Sequence, residues 1–278
     1  MSKKLRILVA QLNPVVGDIR GNLELARGAL AEGKSKGADL VVLSELFILG
    51  YPAEDLVLKP AAVEDSMKAV NTLAAETADA PDMIIGAPWM EDGKRHNSAV
   101  WLSGGAIKGR YDKRELPNYS ELHDAGADML IVPNGSPWRR TVQVERHTTF
   151  SAWRKTGVPY LFVNQVGGQD ELVFDGSSYA VDHDGTEHQL LGDFVTGTAM
   201  VAYDPATHCF ESDAQAELTE GWHAEYRAAV LALGDYVNKN KFPGVVLGMS
   251  GGIDSALTAA MAVDALGPDR VCSVIKST

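Results

Sequence analysis

Short apolar runs alternate along this chain with segments whose apolar positions recur at helical spacing. RILVAQL (6–12) is a β-rich run closed by the turn signal NPVVGD. In the following segment, NLELARGALAEGKSKGA, residues Leu23, Ala26, Ala29 and Leu30 share one helical face, and Asn22 stands where an N-cap would. DLVVLSEL (39–46) is apolar almost throughout, the pattern of a strand buried on both faces. SMKAVNTLAAETADA predicts a second helix and MIIGAPW (83–89) another strand. NSAVWLSGGAIKGRYDK (97–113) alternates about a Gly-Gly turn like a hairpin. ADMLIVPNGSPW (127–138) reads as strand and turn, and RRTVQVERHTTFSAWRKTG as a helix. VPYLFVNQVGGQDELVFDGSSYAVD (158–182) reads as a strand, a glycine-rich turn and further strands.

Strands alternating with helices imply a layered α/β domain, and the hairpin-like segments add antiparallel pairs to it. The pattern fades in PATHCFESDAQAELTE, an acidic stretch that reads as a linker. WHAEYRAAVLALGDYVNKN (222–240) then opens a new helix, followed by a strand (GVVLGM), a glycine loop (SGGID), a helix (SALTAAMAVDALG) and a strand (RVCSVIK). A length of 278 residues exceeds one typical domain and accommodates this division.

Composition narrows the class without choosing a function. The hydrophobic fraction of 45% is enough for a sizeable core. A net charge of −12 makes the chain a poor partner for nucleic acid, whose phosphates would repel it. The two cysteines, Cys209 and Cys272, form neither a disulfide framework nor a zinc spacing, which suits a reducing, cytoplasmic setting. The N-terminal apolar run is broken at once by Gln11 and Asn13, too early for a signal peptide. No run approaches the roughly 18 apolar residues that mark a membrane-spanning helix.

The sharpest chemical signal is GVVLGMSGGIDSALTAA (244–260). A buried strand runs into Gly248. Ser250, Gly251 and Gly252 make a turn without bulky side chains, and a helix begins near Asp254 and Ser255. Such glycines let backbone N–H groups approach an anion, and the helix N-terminus adds positive potential. A tight structural turn could use Gly-Gly alone. The full S-G-G-x-D-S string at a strand–helix junction favours phosphate binding, and without the Walker lysine it is not the common NTPase loop.

In the first unit Glu45 closes a buried apolar strand, where a carboxylate is costly without a partner or a task. General-base work is one such task. Lys113 follows the hairpin in GRYDKRELPNY, with Tyr119 six residues on, and Ser136 lies in the turn of IVPNGSPW. Taken singly, each has a bland reading as an ordinary ion-pair member or solvated charge.

The loop string resembles that of the ATP pyrophosphatase family of adenylating synthetases. Over residues 5–200 the chain resembles the nitrilase superfamily, whose sites use Glu, Lys and Cys. The resemblance is sharpest to the glutamine-dependent NAD synthetases, through ILVAQLNPVVGDIRGNLE, SELFILGYPAEDL, KRELPNY, NGSPW, YLFVNQVGGQDELVFDGSSY and GDYVNKNKFPGVVLGMSGGIDSALTAA. It implies a four-layer αββα nitrilase-like sandwich over residues 1–204, a linker over 205–221, and over 222–278 the beginning of a doubly wound α/β domain of the adenine nucleotide alpha hydrolase type. It also implies that Glu45 acts as base and Lys113 as oxyanion stabiliser, with Tyr119 and Ser136 binding glutamine. Gly248, Ser250, Gly251, Gly252, Asp254 and Ser255 would hold the pyrophosphate of ATP, and Asp254 a Mg²⁺ ion. Ammonia from glutamine would amidate deamido-NAD, in a homo-oligomer as in that family.

One departure is decisive. The family's nucleophilic cysteine lies between LPNY and the strand before NGSP, yet here LPNYS runs almost directly into ELHDAGADMLIVPNGSPW. A segment near residues 120–122 is therefore expected to be absent, and neither cysteine takes its place: Cys209 follows the last strands of the first domain, and Cys272 is expected to be a small core hydrophobe on a buried strand. Two other readings stay open, an amidase for another small amide and a non-catalytic scaffold.

Overall fold

The computed structural model describes residues 3–114, 126–146, 148 and 157–275. Its centre is β1 (Leu5–Gln11), whose side chains alternate between two cores. Leu8 and Ala10 face one side with Val41, Met83 and Ile85, and meet the apolar faces of α1 (Ile19–Lys36) and α2 (Pro60–Glu76). Ile7 and Val9 face the other side and meet Leu161, Val163 and Ala180 of a second sheet. Each such aliphatic side chain, fully buried, stabilises the fold by roughly 1.5–3 kcal/mol, so a polar residue on either face would be costly.

The first sheet has seven strands in the order β13-β12-β1-β2-β3-β4-β5. They span Cys209–Glu211 (β13), Gly197–Asp204 (β12), Leu40–Val42 (β2), Asp82–Glu91 (β3), Lys94–Ser103 (β4) and Ala106–Asp112 (β5). β1, β2 and β3 pair in parallel, and the remaining pairs are antiparallel. The second sheet runs β11-β10-β7-β6, from Glu187–Gln189 (β11), Tyr179–Val181 (β10), Tyr160–Asn164 (β7) and Leu130–Asn134 (β6). Its outer face carries Tyr160, Phe162, Tyr179 and Val181. A helical stretch at 142–146 lies over it, with the guanidinium of Arg146 5.5 Å from the centre of the Phe162 ring. Helices outside two facing sheets make the αββα order that the resemblance implied; the helix expected from Arg139 begins at Val142, and residues 147 and 149–156 lie outside the described residues.

A hairpin of β8 (Val166–Gln169) and β9 (Leu172–Asp175), between β7 and β10 in the chain, packs against α3 (Gly221–Lys239). Then come β14 (Val245–Met249), α4 (Ile253–Leu266) and β15 (Val271–Ile275), with β14 and β15 parallel.

Four local expectations are corrected. α1 starts a turn earlier than read: Asp18 caps it by accepting from the Gly21 amide at 2.9 Å. Asn22 is instead buried within the helix, bonding Val15 and the Ile48 carbonyl. The strand expected over 39–46 is regular only over Leu40–Val42, because the chain bends inward to bring Glu45 into the sheet's end. Within the supposed linker, residues 209–211 form β13, held by burial of Phe210 and by pairing with β12, so Cys209 opens a strand of the first domain. Cys272 is exposed rather than buried: among the described residues β15 pairs only with β14, and four of its five residues are exposed.

The inward bend depends on Gly86. The Gly86 amide donates to the Ser44 carbonyl at 3.2 Å, and the Gly86 carbonyl accepts from Ile48 at 3.2 Å. A Cβ at this position would lie 2.3 Å from the Leu46 nitrogen and 2.4 Å from the Ser44 oxygen, both backbone atoms. Gly86→Ala must therefore push the Glu45 segment off β3, and we expect a loss of roughly 2–3 kcal/mol, measured by urea unfolding. A variant as stable as the parent chain would refute this packing.

Candidate functional site

The bend places Glu45 under the end of the first sheet, 7% exposed and reached by donors from three separate elements. Lys113 Nζ, just past β5, donates to Oε1 at 2.7 Å. Asn97 Nδ2, on β4, donates to the same oxygen at 2.6 Å. The Gly135 amide, in the turn after β6, donates to Oε2 at 3.1 Å. The sequence thus brings Glu45 and Lys113 together across 68 positions through the order of strands alone.

Electrostatics hold Lys113 charged. Burial pushes its pKa down, but the hydrogen bond and charge of Glu45, with a contribution from Tyr51, outweigh it and the net shift is upward. The Tyr51 hydroxyl is also raised, first by burial and then by the negative charge of Glu45, against the opposing charge of Lys113. Tyr51 lies flat against the NGSP turn, where a Cβ on Gly135 would come within 2.9 Å of the ring. A larger residue there would displace the amide that binds Glu45.

Ser136 follows that amide. Its own N–H donates to Asn164 Oδ1 at 3.1 Å, and its carbonyl accepts from Asn164 Nδ2 at 3.2 Å and Arg146 Nη2 at 3.1 Å. Behind it Arg146 and Asp175 form a buried bidentate pair, both bonds 2.8 Å, with Gln143 and Ser177 also donating to Asp175. Tyr119 lies outside the described residues. Cys209 has no part in this centre, its Sγ lying 3.4 Å from the Thr207 carbonyl and 3.6 Å from His183 Nδ1.

The glycine loop forms a second group, and no hydrogen bond or ion pair among the described residues joins it to Glu45. Gly248 lies in β14, and a Cβ there would meet open space. Gly251 has φ +81°, a conformation natural to glycine. Ser250 and Ser255 hydroxyls lie 3.1 Å apart, Ser255 Oγ donates to the Gly252 carbonyl at 2.9 Å, and the Gly252 amide reaches Ser250 Oγ at 3.3 Å. α4 begins at Ile253, slightly earlier than read, and Gly252 gives it no side-chain cap. Its first-turn N–H groups therefore lack intrahelical partners, beside the exposed carboxylate of Asp254. That single carboxylate suits Mg²⁺, which commonly takes one or two protein carboxylates together with substrate phosphates.

Sequence reasoning missed Asn97, the Gly135 amide and the Arg146–Asp175 pair. Asn97 carried little signal, because within β4 it shares its face with Arg95, Ala99 and Trp101, a mixed set that marks no inward side. Asp175 and Arg146 carried none, since their pairing joins segments with no shared pattern.

The buried pair yields a quantitative expectation. Asp175→Ala leaves a guanidinium buried without its counter-charge and should cost about 3–5 kcal/mol in urea unfolding. The double variant Arg146→Met/Asp175→Leu should recover much of that loss. A double variant as unstable as the single one would show that the ion pair is not the source.

Comparisons with known proteins match both parts of the chain. A carbon–nitrogen hydrolase family model matches residues 6–127, and a NAD synthase family model matches residues 225–277. The chain is 36% identical to the glutamine-dependent NAD(+) synthetase of Rhodobacter capsulatus, covering 99% of this chain and 57% of that protein. It is 32% identical to the Acinetobacter baylyi enzyme of the same name, covering 98% and 58%. The structure of glutamine-dependent NAD+ synthetase from Acinetobacter baumannii in complex with ADP superposes with a TM-score of 0.91 at 32% identity, covering 98% of this chain and 59% of that one. A nitrilase-superfamily amidase of Nesterenkonia AN1 superposes at 0.64 with 19% identity, over 73% of this chain and 92% of its own, a likeness of fold. The chain thus spans less than three-fifths of the length of these synthetases.

Proposed function

We infer from this chain's homology to the glutamine-dependent NAD+ synthetases that it is part of an enzyme with two sites, one releasing ammonia from glutamine and one using ATP to amidate deamido-NAD. The observation that carries the reading is the pairing of Glu45 with Lys113 in one unit and the S-G-G-x-D-S loop opening α4 in the other.

In the first site Glu45 would take the proton of the attacking thiol and later activate water. Lys113 would stabilise the oxyanion that develops on the glutamine carbonyl. Tyr119 and Ser136 would bind glutamine. In the second site Gly248, Ser250, Gly251, Gly252 and Ser255, with the α4 N-terminus, would cradle the pyrophosphate of ATP. Asp254 would hold Mg²⁺, which neutralises phosphate charge when bound. The activity is cytoplasmic in this reading, and the protein a homo-oligomer.

The thiol itself belongs to a segment these 278 residues lack. The alignment with the Rhodobacter protein runs over 318 positions, so at least 40 of them have no counterpart here. Among the described residues β6 has no strand beyond it, and the second sheet holds four strands against seven in the first. The open β6 edge supports placing the absence near residues 120–122, between Tyr119 and His123, where the cysteine segment would add to that edge. Without it the chain does not hydrolyse glutamine through a thioester. We assign residues 1–211, through β13, to the glutaminase unit, 212–220 to the connection and 221–278 to the start of the synthetase unit. The NAD synthase match speaks against a free-standing amidase.

A second reading, a scaffold without glutaminase activity, is favoured by the placement of both cysteines away from Glu45. The mass of the natural protein separates the two. A mass well above 29.8 kDa, with a cysteine-containing peptide between Tyr119 and His123, supports the enzyme; a mass equal to that of 278 residues overturns it. In the longer protein, Glu45→Gln should abolish glutamine-driven NAD formation and leave the ammonia-driven reaction largely intact. Asp254→Ala should stop synthesis from either nitrogen source. Equal loss of both activities in Glu45→Gln, or survival of synthesis in Asp254→Ala, would contradict the two-site assignment.

A further inference from the structure

We propose that Asn97 is a positioning residue of the Glu45 centre, and that it decides which carboxylate oxygen is left to accept a proton. The inference rests on the glutaminase reading of Glu45. A carboxylate oxygen offers two lone pairs in its plane. On Oε1 both are taken, one by Asn97 Nδ2 at 2.6 Å and one by Lys113 Nζ at 2.7 Å. On Oε2, among the described residues, only the Gly135 amide donates, at 3.1 Å. Oε2 is therefore the oxygen with capacity for a new O–H bond, and it lies toward the NGSP turn that carries Ser136.

Asn97 reaches the centre twice. Its carboxamide fixes Oε1, and its backbone carbonyl accepts from the Lys113 amide at 2.7 Å, which sets where the lysine leaves β5. It stands at the Pro88 position of the β3–β4 ladder, two residues along from the Gly86 pair beneath the Glu45 bend. Lys113 is largely exposed and cannot by itself hold a buried carboxylate in one rotamer, because a long flexible stem loses entropy when it is fixed. Asn97 has a shorter stem on a regular strand and can. Its donation stabilises the charged carboxylate in the orientation that Lys113 meets, and so links the two side chains.

Turnover is not needed to test this. Competitive acetylation of the 278-residue chain with trace acetic anhydride at mildly alkaline pH, followed by peptide mass spectrometry, reads the fraction of Lys113 that is unprotonated, against Lys94 as an internal standard. Glu45→Gln should raise Lys113 reactivity. Asn97→Ala should raise it roughly threefold. Asn97→Gln, which keeps the donor on a longer stem, should return part of the way to the parent value. In the Glu45→Gln background Asn97→Ala should change nothing further, because its effect passes through the carboxylate. A thermal melt confirms folding, and if Asn97→Ala is unfolded the near-isosteric Asn97→Leu takes its place in the same cycle. Unchanged Lys113 reactivity in the folded variant, or an equal rise with and without Glu45, would overturn the proposal. Failure of the longer protein to form NAD would count against the functional reading and leave this result standing.

Discussion

Burying one carboxylate organises the first unit. Water would solvate Glu45 at little cost, but under the sheet it must be met by donors, and an unpaired charge there would cost several kcal/mol. The three donors come from β4, from the residue after β5 and from the turn after β6. No local folding of any one segment could supply them. The centre therefore exists only when the strand order β2-β3-β4-β5 and the face-to-face approach of the second sheet are both in place. Gly86 and Gly135 belong to the same constraint, since each leaves out a side chain where the Glu45 segment or its Tyr51 wall must pass.

The central strand explains why that approach is reproducible. β1 is buried on both faces, so its alternation commits Ile7 and Val9 to the inter-sheet core and Leu8 and Ala10 to the helices. A slip of one residue would exchange small Ala10 for its larger neighbours across two packed layers at once. The bend after β2 can then be irregular, because the parallel pairs on either side of β2 already fix where it begins.

What could be read from the chain follows from this physics. The strands and helices of both layers were legible because burial on a regular element leaves a period, as in Leu23, Ala26, Ala29 and Leu30. Glu45 was legible because a charge at the end of an apolar run breaks that period. Asn97 was not, because its amide looks like any polar residue beside a turn and its partner is 52 positions away. β13 escaped notice because three residues carry too little pattern, and Phe210 alone supplies its buried anchor. Asn22 was misread for a related reason: a capping side chain and a buried bridging one use the same amide, and only the position of Asp18 distinguishes them.

The glycine loop could have belonged to an independent module, but the contacts of α3 argue otherwise. Asp235 accepts from Asn13 Nδ2 and from the Gly168 amide, both at 2.7 Å, and Lys239 donates to the Gly168 carbonyl at 2.8 Å while lying 3.5 Å from Asp235. Burial lowers the Lys239 pKa, and the nearby charge of Asp235 only partly restores it. Such groups are not left at an incidental contact, because each would be better solvated if α3 moved away. Nearer the start of the helix, Arg227 donates to Asp193 at 2.8 Å and lies over Phe194. Asn13 opens the turn whose Gly17 amide bonds the Leu49 carbonyl, just past Glu45, and Gln165, next to β8, donates to the Tyr51 carbonyl at 2.9 Å. The wall of the carboxylate centre and the helix that leads to the glycine loop are thus packed against the same hairpin. In a reading where one site makes ammonia and the other consumes it, that shared support gives a physical reason for the two matches to lie on one chain.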